Sequence, residues 1–255
     1  MIIPPLRCPV VLAHGLLGFD CLRLGKWTIG RYWPGIVEAL QAGGNRVLVA
    51  RVAPLGSVAR RAAQLKAYID KHSPHEPVHI IGHSMGGLDA RYMISKLDMA
   101  HRVLTLTTVA TPHRGSPFAD WGLRRLEPVF RIVLDLFGIG RKPFFDVSVE
   151  GCKKFNEDVP DAPNVRYFSV AGRFTADWLT PSWLISTRMI EREQGENDGL
   201  VPLTSARYGE DCSVWEGDHI SLINWPNPLA RARGRWRDRV PAYGGLVSRL
   251  ADEGY

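Results

Sequence analysis

The run PVHIIGHSMGGLDARYM at residues 77–93 decides the fold of this chain. Pro77 to Ile81 form a short apolar strand-like run that Gly82 ends, and residues 88–97 carry helix-period apolar positions immediately behind it. Between strand and helix stands Gly82-His83-Ser84-Met85-Gly86, a GxSxG pattern. Alone it arises by chance in roughly one chain in ten of this length, and its flanking strand and helix cut that sharply. So tight a turn forces the serine into a strained backbone conformation, so the residues two before and two after it must lack bulk, as Gly82 and Gly86 do. The helix N-terminus then turns free N–H groups and a positive dipole toward the place where an oxyanion would form.

Outward from this turn, β-rich runs at residues 10–13, 46–52, 103–109, 165–170 and 212–215 alternate with helix-period segments. That alternation predicts βαβ units and an α/β fold with a mostly parallel sheet. The strands are nearly continuous in apolar residues, which predicts a sheet covered on both faces. Val58, Ala62, Leu65 and Ile69 mark one buried helix face, with Ser57 as its N-cap. Residues 117–149 break the pattern, crowded with Phe118, Trp121, Leu126, Val129, Phe130, Ile132, Val133, Leu134, Leu136, Phe137, Phe144 and Phe145. Two readings stand: an amphipathic helix packed on the sheet, or a movable helix over an apolar site. Near the C-terminus Arg231, Arg233, Arg235, Arg237 and Arg239 alternate with other residues, a pattern of solvated surface or of attraction to anionic lipid.

The 255 residues, 45% hydrophobic and 23% charged, suffice for one full-sized core and exclude a disordered or collagen-like chain. No apolar stretch reaches the length of a transmembrane helix. The net charge of +6 favours solubility, and no recognition module accompanies it, which excludes nucleic-acid binding. Cys8, Cys21, Cys152 and Cys212 form no CxxC, so no zinc site is expected, and their disulfide state is not readable from spacing. No signal peptide is read in residues 1–9, so the chain acts where it is made or has lost a leader; compartment and oligomeric state stay open.

A serine hydroxyl is a weak nucleophile and needs a base, which in turn needs an orienting carboxylate. With this elbow the chain order is serine, acid, histidine. His113 and His219 lie downstream, and His219 is preferred because it follows the last strand-like run, in a loop able to lean over the sheet's carboxyl edge. Asp198, in an Asn-Asp-Gly turn 114 residues after Ser84 and 21 before His219, is the favoured acid, with Asp177, Asp211 and Asp218 as rivals. Ala13-His14-Gly15-Leu16-Leu17-Gly18 follows the first strand, and its glycines permit the Leu16 N–H to join that of Met85 as an oxyanion-binding pair. His14 is assigned a supporting hydrogen bond.

VVLAHGLLG (10–18), GHSMGGLDARYM (82–93), TPHRGSPFAD (111–120) and NDGLVPLTSARYG (197–209), followed by Asp218-His219, together resemble the bacterial true lipases, the triacylglycerol lipases of the α/β-hydrolase fold. The resemblance implies Ser84 as nucleophile, Asp198 as acid, His219 as base, Leu16 and Met85 as backbone oxyanion donors, and a lid in residues 117–149 of a single domain spanning 1–255. It also implies that Val10 begins the third strand of the full hydrolase sheet, hence a shortened sheet of about six strands. Many members hold a structural calcium through two aspartates; Thr180 and Ser221 occupy those places here, so no cofactor is expected. The family's common disulfide has no matching cysteine pair.

The expected function is a serine carboxylic-ester hydrolase, a lipase cleaving triacylglycerols and other fatty-acyl esters at an oil–water interface through an acyl-enzyme. An esterase, phospholipase, thioesterase or polyesterase would use the same residues, and a catalytically silent lipid- or partner-binding fold is the alternative of another class.

Overall fold

A computed structural model describes residues 3–18, 21–24, 27–125, 141–178 and 180–255. In chain order the strands are β1 (Val10–Ala13), β2 (Cys21–Leu24), β3 (Trp27–Arg31), β4 (Val47–Val49), β5 (Val78–His83), β6 (Val103–Val109), β7 (Arg166–Arg173) and β8 (Asp211–Glu216). β2 and β3 pair with each other as an antiparallel hairpin, and the other six form one sheet in the order β4-β1-β5-β6-β7-β8. Every pairing in that sheet is parallel. The helices are α1 (Ile36–Ala42), α2 (Val58–His72), α3 (Met85–Lys96), α4 (Pro117–Arg125), α5 (Lys142–Phe145), α6 (Val149–Asp158), α7 (Leu184–Gln194), α8 (Leu203–Ala206), α9 (Pro228–Ala232) and α10 (Val240–Asp252).

β1 shows why the inner strands read as unbroken apolar runs. Side chains alternate across a strand, so Val10 and Leu12 enter the core shared with α1 and α10, through Ile36, Leu40, Tyr243 and Val247. Val11 and Ala13 enter the opposite core, shared with α2 and α3 through Ala62, Leu65, Ile69, Ala90 and Met93. Full burial of Leu65 and Ile69 contributes about 1.5–3 kcal/mol each. Ser57 caps α2 as expected, its side chain accepting from Arg60 N.

Several local features differ from the expectations. β5 runs through Gly82 to His83, and α3 begins at Met85 rather than residue 88, because Gly86 and Gly87 carry no apolar signal. β4 keeps three residues of the expected seven. The covered-on-both-faces expectation fails at β8, the sheet's outer edge, where Asp211, Ser213, Val214 and Glu216 are exposed. The hairpin of β2 and β3 was not anticipated.

Of the apolar segment 117–149, residues 126–140, with Leu126, Val129, Phe130, Ile132, Val133, Leu134, Leu136 and Phe137, lie outside the described residues. Of the C-terminal arginines, Arg231, Arg233, Arg235 and Arg237 are exposed, as in a solvated strip, with Arg231 over the Trp236 ring, Arg233 over Trp178 and Arg235 paired with Asp177, while Arg239 is buried. Cys8, Cys152 and Cys212 are free thiols. No described helix is long and apolar enough to cross a membrane.

Candidate active site

Ser84 sits directly between β5 and α3 with φ +54° and ψ −131°. A positive φ on a non-glycine residue costs of order 1–3 kcal/mol and persists only when the surroundings fix it. Here Ser84 N donates to Val109 O on β6 at 2.9 Å, and Ser84 O accepts from Gly87 N at 3.1 Å and from Thr111 Oγ1 at 2.8 Å. The flanking glycines answer a packing demand: a Cβ on Gly86 would lie 2.4 Å from Ala13 O, and one on Gly82 would lie 2.8 Å from Gly87 Cα.

Asp198 and His219 meet beyond the carboxyl ends of β7 and β8. Asp198 Oδ2 accepts from His219 Nδ1 at 2.8 Å, and Oδ1 accepts from the N–H groups of Leu200 at 2.9 Å and Val201 at 2.7 Å. His219 N also donates to Asp198 O at 2.8 Å, so the two residues are tied through backbone and side chain alike. Asp198 is fully buried and His219 nearly so. With Nδ1 carrying the proton toward a carboxylate, His219 keeps a lone pair on Nε2.

Ser84 and His219 line one cavity of about 520 Å³. Ser84 Oγ makes no hydrogen bond to His219 among the described residues; such contacts are commonly long before substrate binds. Pro112, Phe118, Trp121, Phe144, Leu200, Ile223 and Trp225 make the cavity walls overwhelmingly apolar. Gly15 lies against Ser84, since a Cβ on it would come within 2.7 Å of Ser84 Cβ. The N–H groups of Leu16 and Met85 have no hydrogen-bond partner among the described residues. His14 is buried, its Nδ1 2.9 Å from Gly15 O and its carbonyl accepting from Arg61 Nη2 at 2.6 Å.

The rival residues are occupied elsewhere. Asp218 Oδ1 accepts from Ile220 N and Ser221 N at 3.1 Å each, forming the turn after His219, and burial pushes its carboxyl above the ordinary range. Asp177 pairs with Arg235 and Asp211 with Arg249. His113 stacks on Tyr208 and bonds Thr108 Oγ1 at 2.9 Å, lining a second cavity beside Arg91. Thr180 Oγ1 and Ser221 Oγ are taken up in local turns, donating to Asp177 O and Asp218 O. Two engaged neutral hydroxyls do not fit a hard cation that prefers carboxylates.

Three residues near the site had no place in the sequence reading. Tyr32 Oη lies 2.7 Å from His83 Nδ1, and His83 Nε2 lies 3.1 Å from His219 O. Arg61, fully buried on α2, pairs with Asp89 Oδ2 of α3 at 2.8 Å while holding the His14 carbonyl. His83 could have been found, as a histidine inside the motif at a position where the motif itself is silent. Tyr32 carries no local signal, since its partners stand 17 and 51 residues away.

The profile of the PGAP1-like alpha/beta domain matches residues 58–196. Triacylglycerol lipase 2 of Saccharomyces cerevisiae is 32% identical over 88% of this chain and 82% of its own length. Among solved structures, the mature Bacillus licheniformis lipase BlEst2 superposes with a TM-score of 0.71 at 22% identity, over 89% of this chain and 91% of that one. The metagenomic carboxyl esterase MGS0156 superposes at 0.74 with 19% identity, over 100% and 77%. A parallel six-stranded sheet, a strained serine at a strand-to-helix turn and a relative this similar over most of both lengths lead to one conclusion: the chain belongs to the lipase family of the α/β-hydrolase superfamily and is a hydrolase of the lipase and esterase type.

Proposed function

We propose that this enzyme cleaves triacylglycerols and other fatty-acyl esters through an acyl-enzyme on Ser84. The observation that carries the reading is the buried Asp198–His219 hydrogen bond, 2.8 Å long, beside an apolar cavity that also contains Ser84. His219 Nε2 takes the Ser84 hydroxyl proton as Oγ attacks the ester carbonyl. The developing oxyanion sits between the N–H groups of Leu16 and Met85, which have no other claim on them among the described residues. His219 then protonates the departing alcohol, and water, deprotonated in its turn, releases the fatty acid. Asp198 holds the imidazole in the required tautomer and stabilises its cation. No metal enters any step.

The chain is read as one hydrolase domain in which residues 117–149 form a lid. Phe118, Trp121 and Phe144, from the described ends of that segment, line the cavity, so displacement of α4 and α5 would open it. Leu17 and Ile220, cavity-lining and exposed, supply an apolar rim able to meet an oil surface.

Initial rates on emulsified triglycerides and soluble p-nitrophenyl esters from short to long acyl chains, with Ser84→Ala alongside, test the reading. Long-chain emulsions should be cleaved, with rates rising past the solubility limit, and Ser84→Ala should lower kcat by about six orders of magnitude. Cleavage of short soluble esters alone would make the enzyme an esterase and the lid segment ordinary core. A folded Ser84→Ala variant with substantial activity would remove Ser84 as nucleophile.

A further inference from the structure

A continuous hydrogen-bonded path runs beneath the site, from the backbone beside the oxyanion loop to the backbone of His219. Gly15 N donates to Tyr32 Oη at 2.9 Å, Tyr32 Oη lies 2.7 Å from His83 Nδ1, and His83 Nε2 lies 3.1 Å from His219 O. The two ends, together with a neutral imidazole, fix the protons along it. Gly15 N–H only donates, so the tyrosine oxygen accepts there; the His219 carbonyl only accepts, so His83 carries its proton on Nε2. A neutral imidazole protonated on Nε2 has its lone pair on Nδ1, so Tyr32 O–H donates to it. With His83 neutral, as its burial favours, no other arrangement satisfies all three contacts.

We propose that Tyr32 and His83 are positioning residues that hold the Gly15–Leu16 loop and the His219 loop at a fixed separation across Ser84. The inference rests on the roles proposed above for Ser84 and His219. Gly15 immediately precedes the proposed donor Leu16, His83 immediately precedes Ser84, and His219 is the proposed base, so one path touches three parts of the machinery that come from different regions of the chain. Tyr32, His83 and His219 are all more than nine-tenths buried, so water does not replace a lost bond cheaply. Burial, with His219 and His14 nearby, holds His83 far below the usual imidazole range, keeping it neutral. Burial likewise keeps Tyr32 protonated. Trp33 packs edge-on against both rings, at 5.3 Å from Tyr32 and 6.2 Å from His83, and Trp225 Nε1 donates to Tyr32 O at 3.0 Å, so the tyrosine is held at ring and backbone.

Tyr32→Phe keeps the ring and deletes only the hydroxyl, and His83→Phe removes both ring nitrogens. Each should lower kcat about ten- to a hundredfold with KM changed much less, because Tyr32 and His83 line the cavity but both changes keep an aromatic ring there, so the losses fall mainly on alignment. Phosphonylation of Ser84 by a fluorophosphonate should slow in parallel, since it too develops charge at the Leu16–Met85 pair. In the double variant the loss should equal that of the worse single one, because either change breaks the same path. His83→Gln, whose amide N–H is able to reach the His219 carbonyl, should recover part of kcat. Wild-type kcat in folded Tyr32→Phe, or losses that multiply in the double variant, would overturn the proposal while leaving Ser84 as nucleophile. An active, folded Ser84→Ala enzyme would remove the underlying reading instead. Should the His83 variants not fold, ¹⁵N-histidine spectra of the unaltered protein decide: the Nε2–H tautomer of His83 between pH 6 and 9 is expected, and the Nδ1–H tautomer overturns the path.

Discussion

Gly86 illustrates how little freedom single residues around Ser84 have. The α3 backbone approaches the end of β1 so closely that a methyl group there would press on the Ala13 and His14 carbonyls, 2.4 and 2.7 Å away. Gly86→Ala should therefore cost about 1–3 kcal/mol in urea denaturation and also lower kcat, since the displaced atoms lead directly into Leu16. Asp198→Asn retains the shape but offers an amide where His219 needs an acceptor; the ring turns to its other tautomer, and kcat should fall about 10⁴-fold at pH 7 with the fold intact. The meeting of Asp198 with His219 beside the cavity that holds Ser84 was legible from chain order, because serine hydrolysis needs a serine, an acid and a histidine in such a sequence; Leu16 and Met85 enter only as the donors proposed on the same reading. Tyr32 was not legible, because a single tyrosine acquires its meaning only when the hairpin of β2 and β3 delivers it beneath the site.

At the scale of elements, α2 and α3 are locked by one buried ion pair. Arg61 spends its three nitrogens on Asp89 Oδ2, Ala53 O and His14 O, at 2.8, 2.7 and 2.6 Å, so it joins two helices to the loop bearing Leu16. Arg61→Met should destabilise the protein by about 3–5 kcal/mol, because a buried carboxylate and two carbonyls lose their donor together. Adding Asp89→Leu should restore much of that stability, while activity stays low if the loop has loosened; urea midpoints and kcat of both variants check this. Helix faces and central strands were readable because burial on both sides of a parallel sheet leaves a strong apolar signal. Element ends were less so: β4 stops after three residues because pairing, not composition, ends it.

For the molecule as a whole, pH acts through groups that the fold keeps from water. His79, pushed down to about 4 by burial, and His83 and His113, both held well below the ordinary 6.5, stay neutral when folded and take up protons when unfolded. Their contribution is fully present above the ordinary 6.5 and is lost progressively as the pH falls below it. Asp89 works in the opposite sense: burial pushes it up to about 7 against the pull of Arg61, so the folded state gains on the same acidification, as it does, to a lesser extent, through the raised Asp218. Urea unfolding should therefore show a net fall in stability from pH 7.5 to 5.5, and a larger fall in Asp89→Asn. Stability that is flat or rising over that window would contradict the balance. None of this was legible in composition, since all eight histidines look alike until the fold separates buried ones from exposed ones.

The two borders of the parallel sheet carry a further consequence. A bare outer strand invites a neighbouring molecule to extend the ladder with its own backbone. β4 offers only three residues for such an encounter. β8 is guarded by ionic partners at both ends, Asp211 with Arg249 and Glu216 with Arg173. Two copies brought edge to edge would have to strip water from those charges before a single new backbone bond formed. Association along this border is thereby limited by hydrated ions and not by the strength of the core.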